Sequence, residues 1–474
     1  MKGPPVVEAV THLTALVSSA DNVFPDQVTN EFFMQDIFYG FASVSLMLIV
    51  AAIALIDSGL IRRKNTLDMW IQKIVGSMIA AGMMWVVGYA IWQIQFYQGF
   101  GIPDPIMQAL KDWWAFGPSA TTFSQNLDPA LQPEADIFQI FVVFFMAFAA
   151  VGAALLHSAG LERLKASAYY VLSFFLGGLV MPIALYLTWG SCSPLTNNGV
   201  HDYIGIYSMY ILVGVWALIL AWRLGPRLGA FTKNDKTSGP SAHNYAFSGL
   251  GVLLLTFAAP FAFLGCGYWV GGLGYFGIQL NQSGFGIVMM NIFASFVGGV
   301  MAGAVIGYKT RNPLMALLGV PAGYIAAGAS LDLGNPWQIF LVAFIGTFAV
   351  WGVWKLMYVI RIDDKKIVPL ALGGGIFSAL AAGVVGAGDK AGGFFGLEGE
   401  FAPFHATIGI GWQLIGVLVT IGIALVSGLI LIIGLEKTIG LRASEDDEIA
   451  GLDVTYWDAP QAPFYDDVVR PESS

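Results

Sequence analysis

An all-α integral membrane protein with eleven transmembrane helices is the fold class the sequence predicts, and three observations carry it. Of 474 residues, 57% are hydrophobic and only 11% charged, whereas a soluble domain carries about a quarter charged residues. Apolar stretches long enough to cross about 30 Å of hydrocarbon as helices recur eleven times along the chain. The basic residues fall almost wholly in every second connection, as the positive-inside rule requires.

The first 34 residues hold a lone Lys2 followed by Pro4, Pro5 and Glu8. They lack the charged region and continuous apolar core of a signal peptide. An extracytoplasmic segment is expected there, with an amphipathic turn or two around Val6, Val10, Leu13 and Leu16. The transmembrane domain is expected over 35–439, with spans near 35–60, 71–97, 136–160, 166–190, 203–224, 245–266, 284–308, 313–331, 337–360, 367–387 and 405–435. Residues 440–474 form the tail.

The connections after the odd-numbered spans, together with the tail, hold 19 of the 22 Lys and Arg residues, leaving Lys2, Lys111 and Lys390 on the other side. The N-terminus is therefore expected outside and the tail in the cytoplasm. Among the outer connections, 98–135 is long and acidic, 191–202 and 267–283 are short and polar, and 388–404 is rich in glycine.

Cys192 and Cys266 both fall on the outer side. Two unpaired thiols are the favoured reading over a bridge, because the sequence does not place their Cα atoms within bridging distance. No metal site, cofactor or nucleic-acid role follows from two cysteines and a net charge of −9 carried by outer loops and tail. With no nucleophile–base pair in view, an enzyme is not expected.

Five spans is an odd number, so spans one to five and six to ten can be two inverted copies, followed by a last helix. Asp202 opens the fifth span, while Asp363 and Asp364 precede the tenth. An acid at the mouth of an apolar span is a functional candidate. The plainer reading of Asp202 is a helix cap.

Several motifs, in order, resemble the ammonium transporter family of Amt and Rh proteins. The first span ends Ile-Ala-Leu-Ile-Asp-Ser-Gly-Leu-Ile-Arg-Arg-Lys-Asn over 53–65; Glu162-Arg163, Pro182, Trp189-Gly190 and His243-Asn244 follow. The most specific match is the tail run Gly-Leu-Arg-Ala-Ser-Glu-Asp-Asp-Glu-Ile-Ala-Gly-Leu-Asp over 440–453. The resemblance covers about 35–453 and implies two inverted five-helix repeats, a homotrimer and one pore per subunit in a bacterial inner membrane. It also implies contact with membrane lipid and a cytoplasmic PII-type regulator or another membrane-protein partner.

Carried over residue by residue, the resemblance puts a gate at Phe148 and Phe263, with the register of Phe263 open by one position. It puts an outer vestibule at Phe175 and Cys266 (or Gly267), where Phe is a weaker cation–π partner than Trp and a thiol a weak acceptor. The pore and its mouth fall on Asp202, Tyr210, Leu372 and Asp364. Tyr210 and Leu372 stand where the family carries a histidine pair. A tyrosine with a reference pKa of about 10 and a leucine with no proton cannot relay protons near neutral pH.

The leading expectation is a pore for ammonium, ammonia or a similar small neutral molecule. The alternative is a transport-inactive relative serving as a structural, sensing or accessory subunit. A packed core tyrosine is weighed beside a pore-lining role for Tyr210. The run Asp363, Asp364, Lys365, Lys366 is expected mostly as solvated salt bridges, with Asp364 a candidate cap of the tenth helix.

Overall fold

The computed structural model describes residues 30–124, 136–231, 243–270, 274–281, 283–392 and 405–459. The expected N-terminal segment up to residue 29, part of the long outer connection and the end of the tail lie outside the described residues.

Among the described residues, ten helices are long and apolar enough to cross a membrane: Asn30–Leu60, Arg63–Gly99, Asp136–Ala159, Ala166–Thr188, Ile206–Leu224, Tyr245–Leu264, Phe285–Thr310, Pro336–Val359, Val368–Val385 and Ile410–Thr438. An eighth span stands between Phe285–Thr310 and Pro336–Val359 but is broken. Asn312 caps Leu314 N from its side chain, a short helix runs Pro313–Leu317, and a second begins at Gly319 and tightens into a 3-10 turn at Gly328–Ser330. The eleven stretches predicted from hydropathy are thus all helical. The second span starts well before residue 71, so Lys73, counted above among the connections, sits inside a helix and is fully buried.

Backbone polar groups in hydrocarbon must be satisfied within the segment, which is why helices fill this region. Four of them nevertheless contain a π-turn, at Met84–Gly88, Leu176–Val180, Ile206–Ile211 and Val368–Gly373. Each π-turn widens the helix by a residue and lets backbones meet. The first two face one another: a Cβ on Gly177 would lie 2.1 Å from Ala80 O, and one on Gly88 would lie 2.5 Å from Gly177 O. The other two belong to the fifth and tenth spans and pack together near the middle of the bundle.

The seventh and eighth spans touch backbone to backbone. A Cβ on Gly299 would fall 2.2 Å from Gly319 O and 2.5 Å from Gly323 Cα. Small residues at such crossings are how helices associate without a hydrophobic driving force.

The connection expected as an irregular polar loop at 267–283 instead opens with an antiparallel hairpin of β1 (Gly267–Val270) and β2 (Gly274–Gly277), pairing Tyr268 with Phe276 and Trp269 with Tyr275. Aromatic cross-strand pairs stabilise such a ribbon. It is tied to the first span, where Tyr39 donates to Gly267 O at 2.6 Å and accepts from Trp269 N at 3.0 Å. Outward faces carry bare apolar side chains such as Leu253, Phe257 and Met290, suited to lipid or to a neighbouring subunit.

Candidate functional site

The site is built around the two π-turns that meet in the bundle centre. Asp202 is fully buried and accepts from the backbone of Ile206 at 2.8 Å and Tyr207 at 3.1 Å. It caps the fifth span. Gly205 makes the approach possible: its φ of +77° is left-handed, and a Cβ there would lie 2.3 Å from the Phe148 ring. Burial raises the Asp202 carboxyl to about 6, against the lowering pull of those N–H groups and of His201.

Asp364 repeats the device at the tenth span. It is buried and accepts from Lys366 N at 2.8 Å, Ile367 N at 2.7 Å and Val368 N at 3.1 Å. Burial raises its carboxyl while the three N–H groups and the Lys366 charge oppose the rise.

Inside the fifth span's π-turn, Tyr210 is buried with its ring edge-on to Tyr324 of the eighth span at 6.5 Å. Tyr324 in turn meets Phe263 at 5.0 Å and Phe296 at 6.2 Å. Across from Tyr210 the tenth span presents Gly375, where a Cβ would lie 3.4 Å from Tyr210 Cβ. Leu372 packs beside Gly214 instead, one turn along. The structure therefore joins Tyr210 to Phe263 through Tyr324, and gives Tyr210 a glycine for its facing wall.

Phe148 lies in a separate aromatic group. Its ring stacks on Trp189 at 5.6 Å, and Trp189 also stacks on Phe144 at 6.3 Å. No ring contact joins Phe148 to Phe263 among the described residues. Phe175 is half-buried at the turn before the π-segment, edge-on to the outward-facing Phe174. The indole the structure brings to Phe148 is that of Trp189, at the end of the same span. Cys266 is buried and unbridged, its Sγ 3.5 Å from Ala262 O, and Cys192 is likewise a free buried thiol. Burial pushes the Cys266 thiol well up.

The acidic–basic run before the tenth span is not a solvated pair of bridges. Asp363, Asp364 and Lys366 are all buried. Asp363 accepts from Arg227 Nε at 2.7 Å and Nη2 at 2.8 Å. Glu162 accepts from the Arg62 backbone at 2.6 Å, from Arg62 Nε at 3.0 Å and from Asn65 Nδ2 at 3.1 Å. The loops of this basic face are drawn together because each carboxylate, removed from water, requires cations or donors around it.

Three groups escaped the sequence reading. Trp189 and Tyr324 look like ordinary aromatics among many. His201 pairs with Asp332 at 2.9 Å, both buried, across 131 residues. Asp57 and Lys73 did leave a signal, since each is an ionisable residue in an apolar span; pairing them needed the fold. Among the described residues no cluster of three or more His, Cys, Asp or Glu is arranged to hold a metal ion.

The sequence profile of the Ammonium Transporter Family matches residues 37–461. Among relatives, "Ammonium transporter Amt1" of Methanocaldococcus jannaschii is 29% identical over 65% of this chain and 73% of its own length. "Ammonium transporter" of Bacillus subtilis is 24% identical over 88% and 96%. Among solved structures, a "Sensor Amt Protein" superposes with a TM-score of 0.70 at 19% identity, covering 90% of this chain and 99% of that one. Mep2 of Candida albicans superposes with a TM-score of 0.67 at 18% identity, covering 87% of both.

Proposed function

The chain belongs to the ammonium transporter family, and from that premise we propose that it conducts ammonium, as ammonia or a similar small neutral molecule, through a pore in each subunit. The observation that carries this reading is the pair of buried aspartates, Asp202 and Asp364, each capping a span whose π-turn packs against the other's. The route runs past Phe148 and Trp189, then Phe263, Tyr324 and Tyr210. Tyr210 offers one hydroxyl to a passing neutral molecule and exchanges no proton near neutral pH. Leu372 adds apolar wall.

The reading includes a homotrimer in a bacterial inner membrane. It also includes a regulator of PII type, or a membrane-protein partner, at the basic face. Family and fold point to a channel or transporter rather than an enzyme.

Ammonium-evoked current and ammonia flux in proteoliposomes test it. Flux from the wild-type protein, reduced by Tyr210→Trp, is the expected result. Silence from the wild type, with flux appearing only in Tyr210→Ala, would favour the inactive, accessory reading.

A further inference from the structure

At the basic end of the bundle one buried carboxylate holds two ammonium groups. Asp57, in the last turn of the first span, is fully buried. Its Oδ2 meets Lys73 Nζ of the second span at 2.9 Å and accepts from Ser158 Oγ of the third at 2.6 Å. Its Oδ1 is taken by Lys366 Nζ, which reaches in from the turn before the tenth span. Asp57, Lys73 and Lys366 by themselves sum to one surplus positive charge, which the buried Asp364 carboxylate also feels, in a place where charge is costly to hold.

The two lysines are not equivalent. Lys73 is fully buried, rises from within a helix, and also donates to Ala154 O at 2.7 Å and Ser158 Oγ at 3.2 Å. Lys73 alone neutralises Asp57. Lys366 is the surplus cation, and it lines a partly open cavity together with Leu60, Ser158, Ala159 and Asp363. Were Lys366 to swing out, Asp57 would keep one cation and one hydroxyl, so its departure would not strand a bare carboxylate.

A lysine head is a primary alkylammonium, with the same charge and N–H donors as a free ammonium ion. We propose that Asp57 Oδ1 and its surroundings are a binding site for a small primary ammonium ion, reached from the cavity, and that Lys366 is its tethered resident. Free ammonium competes with the chain's own ammonium for one carboxylate oxygen. The site exists whether or not ammonium crosses the membrane.

The test uses full-length protein in detergent and thermal unfolding followed by tryptophan fluorescence. The probes are ammonium chloride and methylammonium chloride; sodium chloride and tetramethylammonium chloride serve as controls at equal ionic strength. Lys366→Ala is expected to unfold at a lower temperature than the wild type and to regain part of the loss with either probe but with neither control. The wild type, whose site is filled, is expected to shift less. The variant D57N/K73M/K366A removes all three charges together and is expected to show no probe-specific shift. Recovery of Lys366→Ala by sodium as well as ammonium, an equal response of the wild type, or a response persisting in the triple variant would each overturn the proposal. If Lys366→Ala yields no folded protein, Lys366→Met keeps the stem and deletes only the charge. An ammonium-specific shift in it supports the site, and its indifference to ammonium overturns it.

Discussion

Two aspartates withdrawn from water show how far environment sets a carboxylate's behaviour, and they act with opposite sign. For Asp202, burial wins and the carboxyl rises to about 6. A group raised above its unfolded value of about 3.9 contributes stability below that value and loses it as pH climbs through the folded one. For Asp363, burial is outweighed by Arg227, with help from Arg163, and the carboxyl is held well below the usual range. Its contribution is present above the ordinary aspartate range and is lost as pH falls through the lower folded value. Unfolding midpoints measured across pH should therefore show that Asp202→Asn, which keeps a capping oxygen, removes a loss otherwise seen between about pH 4 and 6. Asp202→Ala should cost about 1–2 kcal/mol through loss of the cap. Asp363→Asn should destabilise the fold near neutrality by up to about 3 kcal/mol, because buried Arg227 then keeps only its 3.4 Å contact with Glu162 as an ion pair, and should flatten the loss of stability on acidification. The capping role of Asp202 was legible from its place at a span mouth. The burial of Asp363 was not, because its partner Arg227 is 136 residues away.

Helix crossings here depend on whether a backbone can be approached, and the sequence marks that only loosely. Glycines abound in the spans, and nothing in the sequence separates those with a close neighbour from those without one; Gly352, for instance, faces open space. At Gly299, however, the neighbour is backbone of the eighth span, which cannot turn aside as a side chain would. Gly299→Val is expected to abolish recovery of folded protein in size-exclusion chromatography, while Gly352→Val leaves it unchanged. The π-turns are a second feature of this scale. Hydropathy located the apolar helices, yet it carries no mark of an added residue in a turn. The structure brings Trp189 to Phe148, and sets Leu372 against Gly214 while Gly375 faces Tyr210.

Across the whole molecule, the tail acts as a clasp on the basic face. Glu448 accepts from Arg62 Nη2 at 3.2 Å and Leu228 N at 2.7 Å, joining the tail to two loops, and from Arg442 Nη2 of the tail itself at 2.6 Å. Asp453 accepts from Leu67 N and Asp68 N, and Trp457 Nε1 donates to Asp68 at 3.0 Å. Within the acidic run 445–448 only Glu448 is buried, while Glu445 and Asp446 stay exposed. Glu448→Ala should free the tail, and limited proteolysis within 440–459 should speed up about tenfold for each ~1.4 kcal/mol by which the tail is held less firmly.

The sequence by itself determined the solvent of this protein and its course through it. Composition, span length and the placement of Lys and Arg are local quantities, and the bilayer reads them locally. Its family was legible too, because short motifs survive where long-range identity has faded. Only the tertiary structure decided which buried charges meet, as Asp57 with Lys73 and Lys366, His201 with Asp332, and Asp363 with Arg227 do. It also decided which residue faces Tyr210. Those outcomes depend on helix rotation, on π-turns that add a residue unseen, and on partners a hundred or more residues apart, and no local pattern encodes them.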